Sequence, residues 1–137
     1  MSRIVVGIDG SQHSYRALEW ASEEAKLRGS TLYLIHSWQY PPPMPDGSGG
    51  IAPADIEGVA KEVVDKAKAT LDDDLVVEAE IANASAGHAL VEASEGADMV
   101  VVGARGLGGF KGLLLGSVSQ QVAHHAKCPI VIVPSDR

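Results

Sequence analysis

Between Arg3 and Asp9 the chain reads Ile4-Val5-Val6-Gly7-Ile8, with no polar side chain among them. Successive side chains of a strand point to opposite faces. A strand with no polar member therefore has no face to give to water, and such a run belongs in the interior of a parallel sheet covered on both sides. Residues 99–102 and 130–133 have the same character, and residues 31–38 make a further strand. Residues 75–81 differ: Val77, Ala79 and Ile81 alternate with Glu78 and Glu80, the pattern of an outer strand with one wetter face.

Helical patterns separate these strands. Ser11 is placed to cap a helix that carries Leu18, Ala21 and Ala25 on one face and stops at Gly29 after Lys26 and Arg28. Ile56, Val59, Val63, Ala67 and Leu71 recur on one face of a second helix, after an irregular loop over 39–51 rich in proline and glycine. Ser85 caps a third helix holding Ala89, Leu90 and Ala93, ended by Gly96, and Val118 and Val122 share a face of a fourth. Strands alternating with helices give parallel pairing through right-handed crossovers. The expected fold is α/β: a five-stranded parallel open sheet of order 3-2-1-4-5 with helices on both faces, one domain over residues 1–137.

In that order the sheet reverses between the first and fourth strands, and open α/β sheets bind ligands outside the carboxyl ends of the strands at such a reversal. Asp9 ends the first strand and Gly103 ends the fourth. From Gly103 a glycine-spaced stretch runs through Gly106 to Gly116, followed by Ser117, Val118 and Ser119 at the start of a helix. Glycines let a ligand approach the backbone closely, and a helix N-terminus offers free N–H groups and the positive end of a dipole. Arg105 and Lys111 add positive charge. This predicts phosphate capture, with Ser117 and Ser119 as donors, or Ser117 as a plain N-cap. Asp9 is placed to accept from ribose hydroxyls or to sit near a phosphate-bound metal, or serves as a helix-start carboxylate favoured by the dipole. The stretch is neither a Walker loop, since no lysine stands between Gly116 and Ser117, nor a dinucleotide fingerprint, since position 111 is lysine.

Composition narrows the function classes. Eleven Lys and Arg against 18 Asp and Glu leave a net charge of −7, which opposes a nucleic-acid backbone as the main partner. No apolar run is long enough to span a membrane, and a single cysteine, Cys128, fits a reducing cytoplasm. His124 with Cys128, and the three carboxylates at 72–74, fall short of a metal-ligand set; a helix end and a solvated turn are the readings preferred. His36 is expected to pack near the site, and Trp20 and Trp38 to serve packing. Residues 130–133 at a sheet edge invite pairing with another chain, so a homodimer through that strand is expected.

The spacing Gly103-x2-Gly106-x9-Gly116-Ser117, the Asp9-Gly10-Ser11 turn, the His36-containing second strand and the apolar ending 129–134 resemble, across the whole chain, the ATP-binding branch of the universal stress protein family. The resemblance implies a cytoplasmic domain of adenine nucleotide alpha hydrolase-like, Rossmann-like fold that dimerises through its last strand. It implies that Asp9 contacts ribose, that the backbone at Ser37 pairs with adenine, and that Gly7, Ile8 and Val102 wall the base. Gly103, Arg105 and Gly106 would line the ribose and phosphates. Gly116, Ser117, Val118 and Ser119 would hold the triphosphate of ATP, with Mg2+ held by the phosphates. The function implied is a nucleotide-binding stress-response or regulatory dimer with at most slow hydrolysis, since no base to activate water is apparent. Alternatives are an ATP hydrolase of the same fold, a cyclic AMP binder, or a protein-interaction module with an empty cleft.

Overall fold

In the computed structural model, described here for residues 2–39, 45–46, 53–105 and 115–134, the strands are β1 (Arg3–Gly7), β2 (Thr31–Trp38), β3 (Val77–Asn83), β4 (Met99–Gly103) and β5 (Ile130–Val133). The helices are α1 (Gln12–Arg28), α2 (Pro53–Ala69), α3 (Ala86–Ser94) and α4 (Ser117–His125). All strand pairs are parallel and the order is β3-β2-β1-β4-β5, as the sequence predicts.

The unbroken apolar runs are explained by two buried layers. On one face Ile4, Val6 and Ile8 of the first strand run meet Leu18 and Ala21 of α1 and Val64 and Ala67 of α2. On the other, Val5, Val100 and Val102 meet Ala89 and Leu90 of α3 and Val122 of α4. Ile4, Val5, Val6, Val100 and Val101 are wholly buried, each contributing roughly 1.5–3 kcal/mol relative to exposure.

The helix ends follow the punctuation. Ser11 adopts an extended N-cap conformation and accepts from the Ser14 N–H at 3.1 Å. Gly29 takes the left-handed conformation, φ 65°, and its N–H returns to the Ala25 carbonyl. Ser85 caps α3 by accepting from the His88 N–H at 3.3 Å.

Several expectations are corrected. Ala67 is buried as expected, but Val59 is 60% exposed, and Ala60 and Val64 complete the buried face of α2 while Ile56 and Val63 are half-buried; its inner face is settled by where the helix lies on β2 and β3. The third strand begins two residues later than expected and continues to Asn83, because Leu75 N–H closes a turn on the Asp72 carbonyl and the β2 register carries pairing to Trp38↔Asn83. At its far end Ile81 is 40% exposed. Trp20, expected in packing, is 38% exposed, whereas Trp38 is half-buried. The N-cap of α4 is Gly116, so Ser117 is the first helical residue rather than the cap. Asp72 forms an ion pair with Lys26, and Asp73 and Asp74 are exposed, which fits the solvated turn. Most of the 39–51 loop, with Gly106 and Lys111, lies outside the described residues.

Candidate functional site at the carboxyl ends of β1 and β4

β1 and β4 are neighbours whose outgoing chains diverge to opposite faces, β1 into α1 and β4 towards α4. A crevice at this point follows from the crossover handedness, and the residues lining it are built as follows.

At the end of β1 the Ile8 N–H donates to the Ile35 carbonyl at 2.9 Å, and the Ile8 carbonyl lies 2.8 Å from His36 Nδ1. A carbonyl only accepts, so Nδ1 carries the proton there. His36 thus ties the ends of β1 and β2 together, as its expected packing role requires. Asp9 then turns the chain: its Oδ1 accepts from the Ser11 N–H at 2.8 Å. Gly10, at φ 83°, holds a conformation that disfavours any Cβ. The carboxylate is therefore fixed, half-exposed, at the strand end. On the opposite side Gly7 lets α3 close in, since a Cβ there would lie 2.9 Å from Leu90 Cδ1.

The end of β4 is held from two directions. A Cβ on Gly103 would lie 2.8 Å from the His13 carbonyl oxygen, so glycine is needed for α1 to sit this close. Next, the Ala104 N–H donates to the Val133 carbonyl at 2.9 Å, and the Ala104 carbonyl accepts from the Gly116 N–H at 2.7 Å. That second bond joins the two ends of the glycine-spaced stretch and brings the start of α4 beside the end of β4. Ser119 reinforces it: its hydroxyl lies 3.1 Å from the Ala104 carbonyl and 3.0 Å from the Gly116 carbonyl. The side chain expected to donate to phosphate is instead committed to backbone and buried. Its role in this arrangement is to hold the turn.

Among the described residues the start of α4, whose N-cap is Gly116, has neither a side-chain cap nor a carboxylate in its first turn. The opening N–H groups of a helix have no partners within it, so Ser117, Val118 and Ser119 present amides at the positive dipole end. Ser117 is exposed, Val118 half-buried and Val102 buried.

Buried polar atoms mark the same end of the sheet. Among the described residues, Ser37 Oγ, Arg105 Nε and His13 Nδ1 are buried without a hydrogen-bond partner, and a fourth, Arg3 Nε, lies at the opposite end. Burying such an atom unpaired costs about 1–3 kcal/mol, which a ligand could recover. His13 escaped the sequence reading. Its position in the first turn after Asp9-Gly10-Ser11 was the available signal, but only the packing on Gly103 reveals its place. Among the described residues no three His, Cys, Asp or Glu side chains cluster to hold a metal. His124 and His125 end α4 exposed, while Cys128 is half-buried and donates to the Pro129 carbonyl. No described helix is long and apolar enough to cross a membrane.

Comparison with known proteins agrees with this architecture. The family model described as the universal stress protein family matches residues 1–134. A universal stress protein of Mycolicibacterium smegmatis is 34% identical over 146 residues, covering 97% of this chain and 48% of that protein; the chain spans about half the length of the curated relatives it matches. A universal stress protein solved in complex with cAMP is 32% identical, with a TM-score of 0.67 over 96% of this chain and 95% of the other. A universal stress protein from Archaeoglobus fulgidus, 26% identical, superposes with a TM-score of 0.74 over 97% and 98% of the two chains. With the sheet order, the layers and the family match in agreement, the chain belongs to the universal stress protein family.

Proposed function

We propose that this protein binds an adenine nucleotide at the carboxyl ends of β1 and β4, with ATP as the principal ligand, and acts as a regulatory or stress-response dimer in the cytoplasm. The observation that carries this reading is the uncapped start of α4, hydrogen-bonded through Gly116 to the end of β4. Amides of Ser117, Val118 and Ser119 take the phosphates, Gly116 letting the phosphates approach while its own N–H stays on the Ala104 carbonyl, and Arg105 adds charge. Asp9 accepts from the ribose hydroxyls, while Gly7, Ile8 and Val102 wall the base beside Ser37. Ser37 contributes its backbone and, because its hydroxyl is buried without a partner, a side-chain contact to the purine edge as well. Gly103, whose missing Cβ makes room for the His13 carbonyl, lines the ribose, and Gly106, outside the described residues, is assigned to the phosphates by the family motif alone. Mg2+ arrives with ATP and is held by the phosphates.

This chain's own residues bind and orient; among the described residues none is placed as a base to activate water, and we infer hydrolysis that is slow at most. The domain is taken as residues 1–137, and the dimer as paired through residues 130–133. A second reading, cyclic AMP as ligand, is favoured by the relative solved with cAMP at 32% identity. Mass spectrometry of small molecules released by denaturing the purified protein separates the readings. ATP or ADP at near-stoichiometric yield supports the first, and cyclic AMP alone transfers the assignment to the second. Absence of any adenylate, even after incubation with ATP and Mg2+, contradicts both. Steady multiple-turnover ADP release would make the protein an enzyme instead.

A further inference from the structure

β3 is the outer strand of the sheet on the side away from β5, and half of its backbone is left over. Leu32 lies opposite Val77, and its N–H donates to the Val76 carbonyl at 2.9 Å. In a parallel ladder that pairing commits the backbone of residues 76, 78, 80 and 82 to β2. It turns the N–H and carbonyl groups of Val77, Ala79 and Ile81 outward. Among the described residues no further strand meets them, and such a row is a template for another chain.

The side chains select the kind of chain. Residues opposite each other across a ladder share a face. Glu78 and Glu80 therefore stand with Tyr33 and Ile35 on the α3 face, and Val77, Ala79 and Ile81 on the α2 face. α3 packs on β1 and β2, which leaves a groove of about 270 Å³ between it and β3. Ala82, Ala84, Ala89 and Ala93 line this groove, with Glu80 on the strand side and Glu92 on the helix side. Arg3 is the one cation among the lining residues; its Nη2 donates to the Ala93 carbonyl at 3.0 Å and its guanidinium lies over the Tyr33 ring. Glu78, Glu80 and Glu92 are all exposed, so carboxylates outnumber it.

We propose that β3 is the docking edge for an extended basic segment of another protein, added as a further strand. Lysine or arginine side chains of that segment fall on the α3 face, with their apolar stems along the alanines and their charged ends beside the carboxylates. The alternate residues are apolar and fall on the α2 face, where they cover Ile81, 40% exposed. Antiparallel pairing with a second copy of β3 is disfavoured, since it keeps the faces and sets glutamate against glutamate. The net charge of −7 draws a basic segment in from a distance.

The probe is a capped heptapeptide alternating valine and lysine, with its valine–glutamate counterpart as control. Each is titrated into the full chain at physiological salt, and binding is followed by fluorescence anisotropy and by amide hydrogen exchange. Because an acidic chain attracts any polycation, Glu78→Lys with Glu80→Lys is compared with Glu19→Lys and Glu23→Lys on α1, which changes the net charge equally. The lysine peptide should slow exchange at the Val77, Ala79 and Ile81 amides. Its affinity should fall roughly tenfold or more in the β3 variant and little in the α1 variant, while the β3 variant gains binding of the glutamate peptide. No binding of the lysine peptide, equal losses in both variants, or binding that leaves those three amides unprotected overturns the proposal. Should the β3 variant lose its circular dichroism, exchange at the three wild-type amides decides alone.

Discussion

Two glycines at the candidate site are required for different reasons, and their substitutions should separate accordingly. A Cβ on Gly103 meets the carbonyl oxygen of His13 at 2.8 Å, and backbone cannot step aside without moving the first turn of α1. Gly103→Ala should cost about 1–3 kcal/mol in urea denaturation. A Cβ on Gly7 meets a methyl of Leu90 at 2.9 Å, the far end of a side chain that can rotate, so Gly7→Ala should cost less. Equal losses would mean that the β4–α1 contact is not the tight one. Alkaline pH probes a different pair of residues. Burial raises the Cys128 thiol, helped by Asp98; burial also raises Tyr33, helped by Glu80. Each folded-state pKa lies above its unfolded value, so the unfolded chain releases its proton first. The stability these groups contribute is present below the ordinary thiol and phenol range and lost as pH rises through it. The urea midpoint should fall on that side, and a Cys128→Ser, Tyr33→Phe double variant should fall less steeply. At this scale the sequence disclosed that Asp9 and Gly103 stand at the ends of β1 and β4, because strand ends are local facts. It did not disclose the duty of the Ser119 hydroxyl, because its partner is the carbonyl of Ala104, fifteen positions away.

Capping decides where the helices begin, and the two serine caps differ in setting. Ser11 is buried at 8% exposure and accepts at 3.1 Å, while Ser85 is exposed and accepts at 3.3 Å. Ser11→Ala should therefore cost about 1 kcal/mol and Ser85→Ala less, measured by thermal or urea unfolding; the reverse order would contradict the assigned caps. These starts, and the glycine stop of α1, were legible because caps and left-handed glycines act within a few residues. The inner face of α2 was not. Val59 and Ala60 are neighbours in sequence, and only the docking of the helix on β2 and β3 chooses between them. The limits of β3 were likewise set by pairing with β2, which no local pattern in residues 75–83 encodes.

Taken as a whole molecule, the sheet order was readable because uninterrupted apolar strands alternating with helices leave few topologies once crossovers are right-handed. The end of the sheet proposed to carry the site followed from that order. What holds the site together did not, since the Gly116–Ala104 bond joins residues separated by the entire glycine-spaced stretch. The net charge of −7 makes the local positive end of α4 and Arg105 the more telling, because the proposed anion would be drawn there against the field of the chain. The central claim is that the amides at the start of α4 grip a polyphosphate, and calorimetric titration of ATP and Mg2+ into wild-type protein and Gly116→Val tests it most directly. Gly116 has an extended backbone, φ −74° and ψ 170°, which a branched residue tolerates. The variant should keep its circular dichroism while its Cβ substituents obstruct the phosphates. The account predicts one nucleotide per chain for the wild type and at least a tenfold loss of affinity for the variant. No heat from the wild type with any adenylate, or equal ATP affinity in a folded Gly116→Val, would contradict it.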